Sequence, residues 1–205
     1  VNGADGTDRP DGLMVVGDGA QRIYAGGFTL RQAGIDVRGR TTVLRVNYRN
    51  TRQIIDAAMA VAGDQVVDDL GDQQRRGDAE TGAGRDGFKP VLKCCTSHEE
   101  ELVFVVGEIR QLVSLDTIGV GDIAVAVTTN DQAKKVRETL SAAGIANQAL
   151  ESYDGHSTDA VKVGTHHRIK GLEFKVVLLP LLGSGDFPRP QVSGQGDAEY
   201  AEATE

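Results

Sequence analysis

The sequence predicts an α/β fold: a parallel sheet of about five strands with helices on both faces. Three observations lead there. Ile123–Val127 (IAVAV), Val161–Thr165 and Val176–Leu182 read as short apolar strands, as expected of a parallel sheet covered on both sides. Segments with apolar residues at helical spacing alternate with them, the pattern of a layered α/β domain. Glycines such as Gly17 and Gly144 punctuate the boundaries.

In chain order, residues 1–12 hold Gly, Asp and Pro with little that is apolar, and are expected to be disordered or a linker. Leu13–Gly17 (LMVVG) reads as a buried strand and Thr41–Val46 (TTVLRV) as a β-branched one. Thr51–Ala62 has helical spacing at Ile54, Ile55, Ala58 and Ala62, with Thr51 as its cap. Residues 71–89 are polar and glycine-rich and read as a long exposed loop. Pro90–Cys95 reads as a strand. Ser97 precedes Glu100 by three, a capping box opening a helix with Leu102, Val106, Ile109 and Val113 on one face. After Ile123–Val127, Asn130 or Asp131 is expected to cap a helix running to Ala143, which Gly144 ends. Residues 183–205 form an acidic, Gly/Pro-rich tail expected to be disordered.

The 205 residues suffice for one ordinary domain, and 40% hydrophobic with 25% charged residues suits a globular protein. No apolar run reaches the roughly 18 residues needed to span a bilayer. The N-terminus lacks a signal-peptide pattern, and a cytoplasmic location is expected. Cys94 and Cys95 are adjacent and suit two reduced thiols rather than a staple. A net charge of −8 argues against a small autonomous nucleic-acid binder, whose affinity rests on neutralising phosphates. The first residue is Val1, which points to a processed chain or a piece of a longer one.

In such sheets ligands bind beyond the carboxyl ends of the strands, which directs attention to residues after Gly17, Val46 and Gly164. There stand VGDGAQRIY (16–24), NYRNT (47–51) and THHRIKGLEF (165–174). Each alone could be a turn, a helix start or a loop beside a strand. Residues 161–175 carry Lys162, Arg168, Lys170 and Lys175 against Glu173 alone, a local positive patch suited to phosphate. His166 and His167 have no acid or Cys at ligand spacing, so no metal site is expected.

Together and in this order the three segments resemble motifs III, IV and V of the UvrD/Rep/PcrA-like group of superfamily 1 DNA helicases. The resemblance takes in residues 123–145 as well and covers about residues 13 to 182. It implies a RecA-like sheet, with residues 13–40 at the edge of a first motor domain and 41–182 forming the second. By that resemblance Gln21 lies near the γ-phosphate and Tyr24 presents a ring to single-stranded DNA, where stacking tolerates any base. Tyr48 stacks on adenine and Arg49 reaches the γ-phosphate across the cleft, a task that suits a guanidinium fork. Gly171 allows close backbone approach, and Glu173 accepts a hydrogen bond from the ribose. Thr165, His166 and Lys170 lie where relatives touch DNA or relay between the DNA and nucleotide sites. Gly19-Ala20 and His167-Arg168-Ile169 depart from the common pattern, and the role of His167 stays open.

A phosphate-cradling GxxxxGK[ST] loop and an Asp-Glu-x-Gln-like acidic motif are missing from the sequence. The resemblance therefore implies a parent that uses ATP and Mg²⁺ on single-stranded or partly duplex DNA, while this chain, with its partner first motor domain elsewhere, is inactive alone. A RecB/AddA-type helicase–nuclease and a noncatalytic helicase-like binding module are the alternatives.

Overall fold

The computed structural model describes residues 14–16, 34–35, 42, 46–62, 66–67, 74–75, 82–183 and 185. The chain divides into two compact units, Val1–Leu92 and Lys93–Glu205.

In the first unit, β1 (Val46–Asn47) leads through a four-residue turn, residues 48–51, into α1 (Arg52–Ala62). The helix begins one residue after Thr51, whose backbone carbonyl accepts from the Ile54 and Ile55 amides at 3.1 Å. Its hydroxyl, expected as the cap, is buried and makes no hydrogen bond among the described residues. Ile54, expected on an apolar face, is exposed, as is Val61. β2 (Val66–Val67) pairs antiparallel with β3 (Gln74–Arg75), and β1 pairs parallel with β4 (Gly82–Ala83). Residues 71–89 thus contain two short strands within what reads as a loop. Of Leu13–Gly17, the described Met14, Val15 and Val16 are exposed and lie outside any strand.

The second unit carries the predicted parallel α/β sheet, in the order β6-β7-β5-β8. Its strands are β5 (Ile123–Val127), β6 (Asn147–Ala149), β7 (Val161–Thr165) and β8 (Val176–Leu178). Every neighbouring pair is parallel, with Val127 opposite Thr165 and Ile123 opposite Val176. Ile123–Val127 is wholly buried, as a central strand covered on both faces must be. On one face Ile123, Val125, Val127, Val161 and Val163 form one core with two helices, α2 (His98–Val113) and α3 (Asn130–Ala142). Leu102, Val105 and Ile109 come from α2, and Ala133, Val136 and Leu140 from α3. Each such side chain, fully buried, stabilises by about 1.5–3 kcal/mol when it is Val, Leu or Ile. The opposite face holds a 3₁₀ turn (Leu150–Ser152) and approaches closely: a Cβ at Gly164 would lie 2.7 Å from the Leu150 Cβ. Only glycine admits that contact.

The boundaries show which local signals prevailed. Ser97 Oγ accepts from the Glu100 amide at 3.2 Å, as predicted. The Glu100 carboxylate, however, accepts from the Thr96 amide and hydroxyl, both at 2.7 Å, which holds it below the usual carboxylate range. Thr129, rather than Asn130 or Asp131, caps α3 in a reciprocal box with Gln132. Gly144 ends α3 with φ +74°, its amide on Ser141 O at 3.0 Å and that of Ile145 on Leu140 O at 2.9 Å, a Schellman closure. Pro90–Cys95 forms no strand; Val91 and Leu92 are largely exposed and no ladder partner is present among the described residues. β8 stops at Leu178 instead of running to Leu182, because Pro180 lacks a ladder donor and Leu181 turns to φ +62°. The Leu181 amide goes instead to Glu101 Oε1 at 2.8 Å. Cys94 and Cys95 are free thiols, and burial raises the Cys95 thiol pKa.

Candidate functional site

In the first unit the NYRNT segment is shaped by its own first side chain. Asn47 Oδ1 accepts from the Arg49 amide at 3.0 Å and the Asn50 amide at 2.9 Å, bending the chain between β1 and α1. The turn leaves Tyr48 exposed, at 78% of its surface, and Arg49 exposed beside it. Gly84 donates its amide to Asn47 O at 3.1 Å, and a Cβ on Gly84 would come within 3.0 Å of the Tyr48 ring. Arg52, a cation at the first position of α1 where the helix dipole disfavours it, lies 3.2 Å from the Asp86 carboxylate. An aromatic plane and a guanidinium on one turn suit a purine base and a phosphoryl group.

In the second unit β7 delivers Thr165, nearly buried, to the carboxyl end of the sheet. A one-turn helix, α4 (His166–Ile169), starts at once. His166 is half-buried, with its Nε2 sealed from solvent, while His167, Arg168 and Lys170 are exposed. Gly171 takes φ +84°, a conformation costly for any side chain, and the Leu172 amide closes the turn on Ile169 O at 3.0 Å. Glu173 is exposed two residues on, and Phe174 packs against Tyr153 with ring centroids 6.2 Å apart. Thr165, His166, Lys170, Gly171 and Glu173 therefore lie along one continuous turn.

The expected positive patch over residues 161–175 is corrected by this arrangement. Lys162 is fully buried, donating to Gly121 O at 2.9 Å and Thr158 O at 3.0 Å, with its ammonium 5.3 Å from the Tyr153 ring centroid. Burial pushes its pKa down, with Asp122 and Asp159 opposing. Lys175 pairs with Asp122 at 2.7 Å and holds that carboxyl below its usual range. Both lysines reach residues preceding β5, at the amino ends of the strands. Only Arg168 and Lys170 stay on the turn at the carboxyl end.

Gln21 and Tyr24 lie outside the described residues. Among the described residues no three His, Cys, Asp or Glu side chains are grouped to hold a metal ion, and no helix is long and apolar enough to cross a membrane. Three features escaped the sequence reading. One is the Asn47 turn, signalled by an Asn opening NYRNT. Another is the segment 84–87, whose Asp-Gly and flanking glycine mark a turn but not its partner. The third is Thr128-Thr129, beside Thr165 at the sheet edge, where Gln132 Oε1 accepts from both amides at 3.0 and 3.1 Å.

Comparison with known proteins places these features. The family model described as UvrD-like helicase C-terminal domain matches residues 42–162, which includes the NYRNT turn and ends just before Thr165. The ATP-dependent DNA helicase UvrD1 of Mycobacterium bovis is 34% identical over 141 residues, covering 66% of this chain and 17% of the relative. The UvrD1 of Mycobacterium tuberculosis matches to the same extent. The ATP-dependent DNA helicase PcrA of Leuconostoc citreum is 30% identical over 160 residues, covering 72% of this chain and 19% of that protein. The chain thus spans about a fifth of the length of these relatives. No solved structure matches it. The chain belongs to the UvrD-like helicase C-terminal domain family.

Proposed function

We propose that this chain forms part of the motor of an ATP-dependent DNA helicase, acting in the cytoplasm, and supplies one wall of its nucleotide cleft. The observation that carries the reading is the Asn47-bent turn, which exposes Tyr48 and Arg49 side by side within the family-matched region. In this reading Tyr48 stacks on the adenine and Arg49 reaches the γ-phosphate as a trans-acting guanidinium. Glu173 accepts from the ribose, beside the left-handed Gly171. Thr165, His166 and Lys170 meet the backbone of single-stranded or partly duplex DNA, with Tyr24 stacking on bases and Gln21 reporting the γ-phosphate. Residues 13–40 belong to the edge of a first motor domain and 41–182 to the second. The triphosphate and its Mg²⁺ are held by the first motor domain, since the sequence has no phosphate loop and the described residues offer no metal-ligand group.

The reading predicts that a complete helicase polypeptide carrying this chain hydrolyses ATP with stimulation by single-stranded DNA, while the chain alone releases no phosphate above background. Phosphate-release assays on both, with and without an oligonucleotide, check this. Robust turnover by the chain alone would contradict it.

A further inference from the structure

Residues 84–87 (Gly-Arg-Asp-Gly) read as part of an exposed loop, yet they form a continuous series of bonds to residues 47–53. The Gly84 amide donates to Asn47 O, and the Arg85 guanidinium donates to the carbonyl of Arg49 itself. Arg85 O accepts from the Arg52 amide at 3.0 Å. The Asp86 carboxylate accepts from Arg52 Nη2 and Gln53 Nε2, each at 3.2 Å. Gln53 Oε1 then accepts from the Gly87 amide at 2.8 Å. Glycine at both ends permits this approach: a Cβ on Gly87 would lie 2.5 Å from Thr51 Cγ2, and one on Gly84 3.0 Å from the Tyr48 ring.

We propose that residues 84–87 are a positioning strap that fixes the backbone on both sides of Arg49, so that ATP hydrolysis depends on Asp86 and Gln53 although neither touches nucleotide. The proposal rests on the reading of Tyr48 and Arg49 as nucleotide contacts. The Arg52–Asp86 pair is well exposed, at 61% and 65% of the side chains, and exposed pairs add little to stability. Their effect on rate has another origin. Arg49 acts at the end of a long side chain, and a displacement of about 1 Å at a reacting centre can cost up to about a hundredfold in rate. A positioning network therefore moves kcat while leaving the melting temperature nearly fixed.

Two isosteric changes test it in a complete helicase polypeptide carrying this chain. Gln53→Glu keeps the acceptor for Gly87 but sets two carboxylates against each other. Asp86→Asn keeps an acceptor for Arg52 but sets two amide groups together. Combined, the new amide at position 86 donates to the new carboxylate at position 53, and all three side-chain bonds return with one reversed in polarity. DNA-stimulated hydrolysis is expected to lose about tenfold in kcat in each single variant and to recover within about twofold in the pair. Melting temperatures are expected to stay within about 2 °C throughout. Single variants with wild-type kcat, or a pair that fails to recover, would overturn the strap. Arg49→Ala measured alongside separates the two ideas: if it too leaves kcat unchanged, the reading of the nucleotide contacts fails as well.

Discussion

Replacing Arg49 by Ala in a complete helicase polypeptide carrying this chain is expected to lower DNA-stimulated ATP hydrolysis by about 10³-fold or more, the loss seen when other nucleotide hydrolases lose an arginine finger. ATP binding is expected to change far less, because in the proposed role the guanidinium would stabilise charge that spreads over the transferring phosphoryl group in the transition state. The structure supports this through placement. Arg49 stands on a turn set by its own amide's bond to Asn47 Oδ1, three residues ahead of Arg52, the first residue of α1. Arg49→Lys is expected to recover only part of the rate, since an ammonium lacks the planar fork that meets two phosphoryl oxygens. Steady-state kinetics together with equilibrium binding of a fluorescent ATP analogue separate the two effects. A variant with wild-type turnover would remove Arg49 from the chemistry.

Lys162→Met is expected to destabilise the second unit by about 2 kcal/mol, a factor of roughly thirty in the folded-to-unfolded ratio. Methionine matches the length of the side chain but leaves the carbonyls of Gly121 and Thr158 without the donor that now serves both. Repacking is restricted because a Cβ at Gly121 would already lie 2.1 Å from Thr158 O. The pH dependence carries its own signature. Burial lowers the folded pKa of Lys162, so the unfolded chain binds more protons as pH rises towards the ordinary lysine value of about 10.4. Stability in the wild type therefore gains over that alkaline window, and the gain is absent from Lys162→Met. Urea unfolding at pH 8 and pH 10 measures both. Equal midpoints for the two proteins at each pH would show that the buried donor contributes nothing.

Much of the second unit was legible because its signals are strong and local. Ile123–Val127 and Val161–Thr165 are strands with the predicted bounds, and Gly144 closes α3 where a left-handed residue was required. β6 escaped because Asn147-Gln148-Ala149 has no apolar signature; it is a strand through its register on β7, with Asn147 Nδ2 tied to Ser141 Oγ at 2.9 Å and Ile145 O at 3.1 Å. α4 escaped because four residues, His-His-Arg-Ile, carry no period. The charge count over 161–175 misled for a geometric reason: Lys162 and Lys175 extend towards the amino ends of the strands, while the turn they were counted with lies at the carboxyl ends. For the site, NYRNT was conspicuous in sequence. Its support was not, since residues 84–87 are joined to it by hydrogen bonds spanning more than thirty residues, which no local pattern encodes.

The most direct measurement is a structure of a complete helicase polypeptide carrying this chain, bound to a non-hydrolysable ATP analogue and a single-stranded oligonucleotide. Hydrogen-bond distance, about 2.7–3.2 Å, between the Arg49 guanidinium and a γ-phosphate oxygen, with the Tyr48 ring over the adenine, is the predicted result. A nucleotide held in that complex with Arg49 directed into solvent would contradict it.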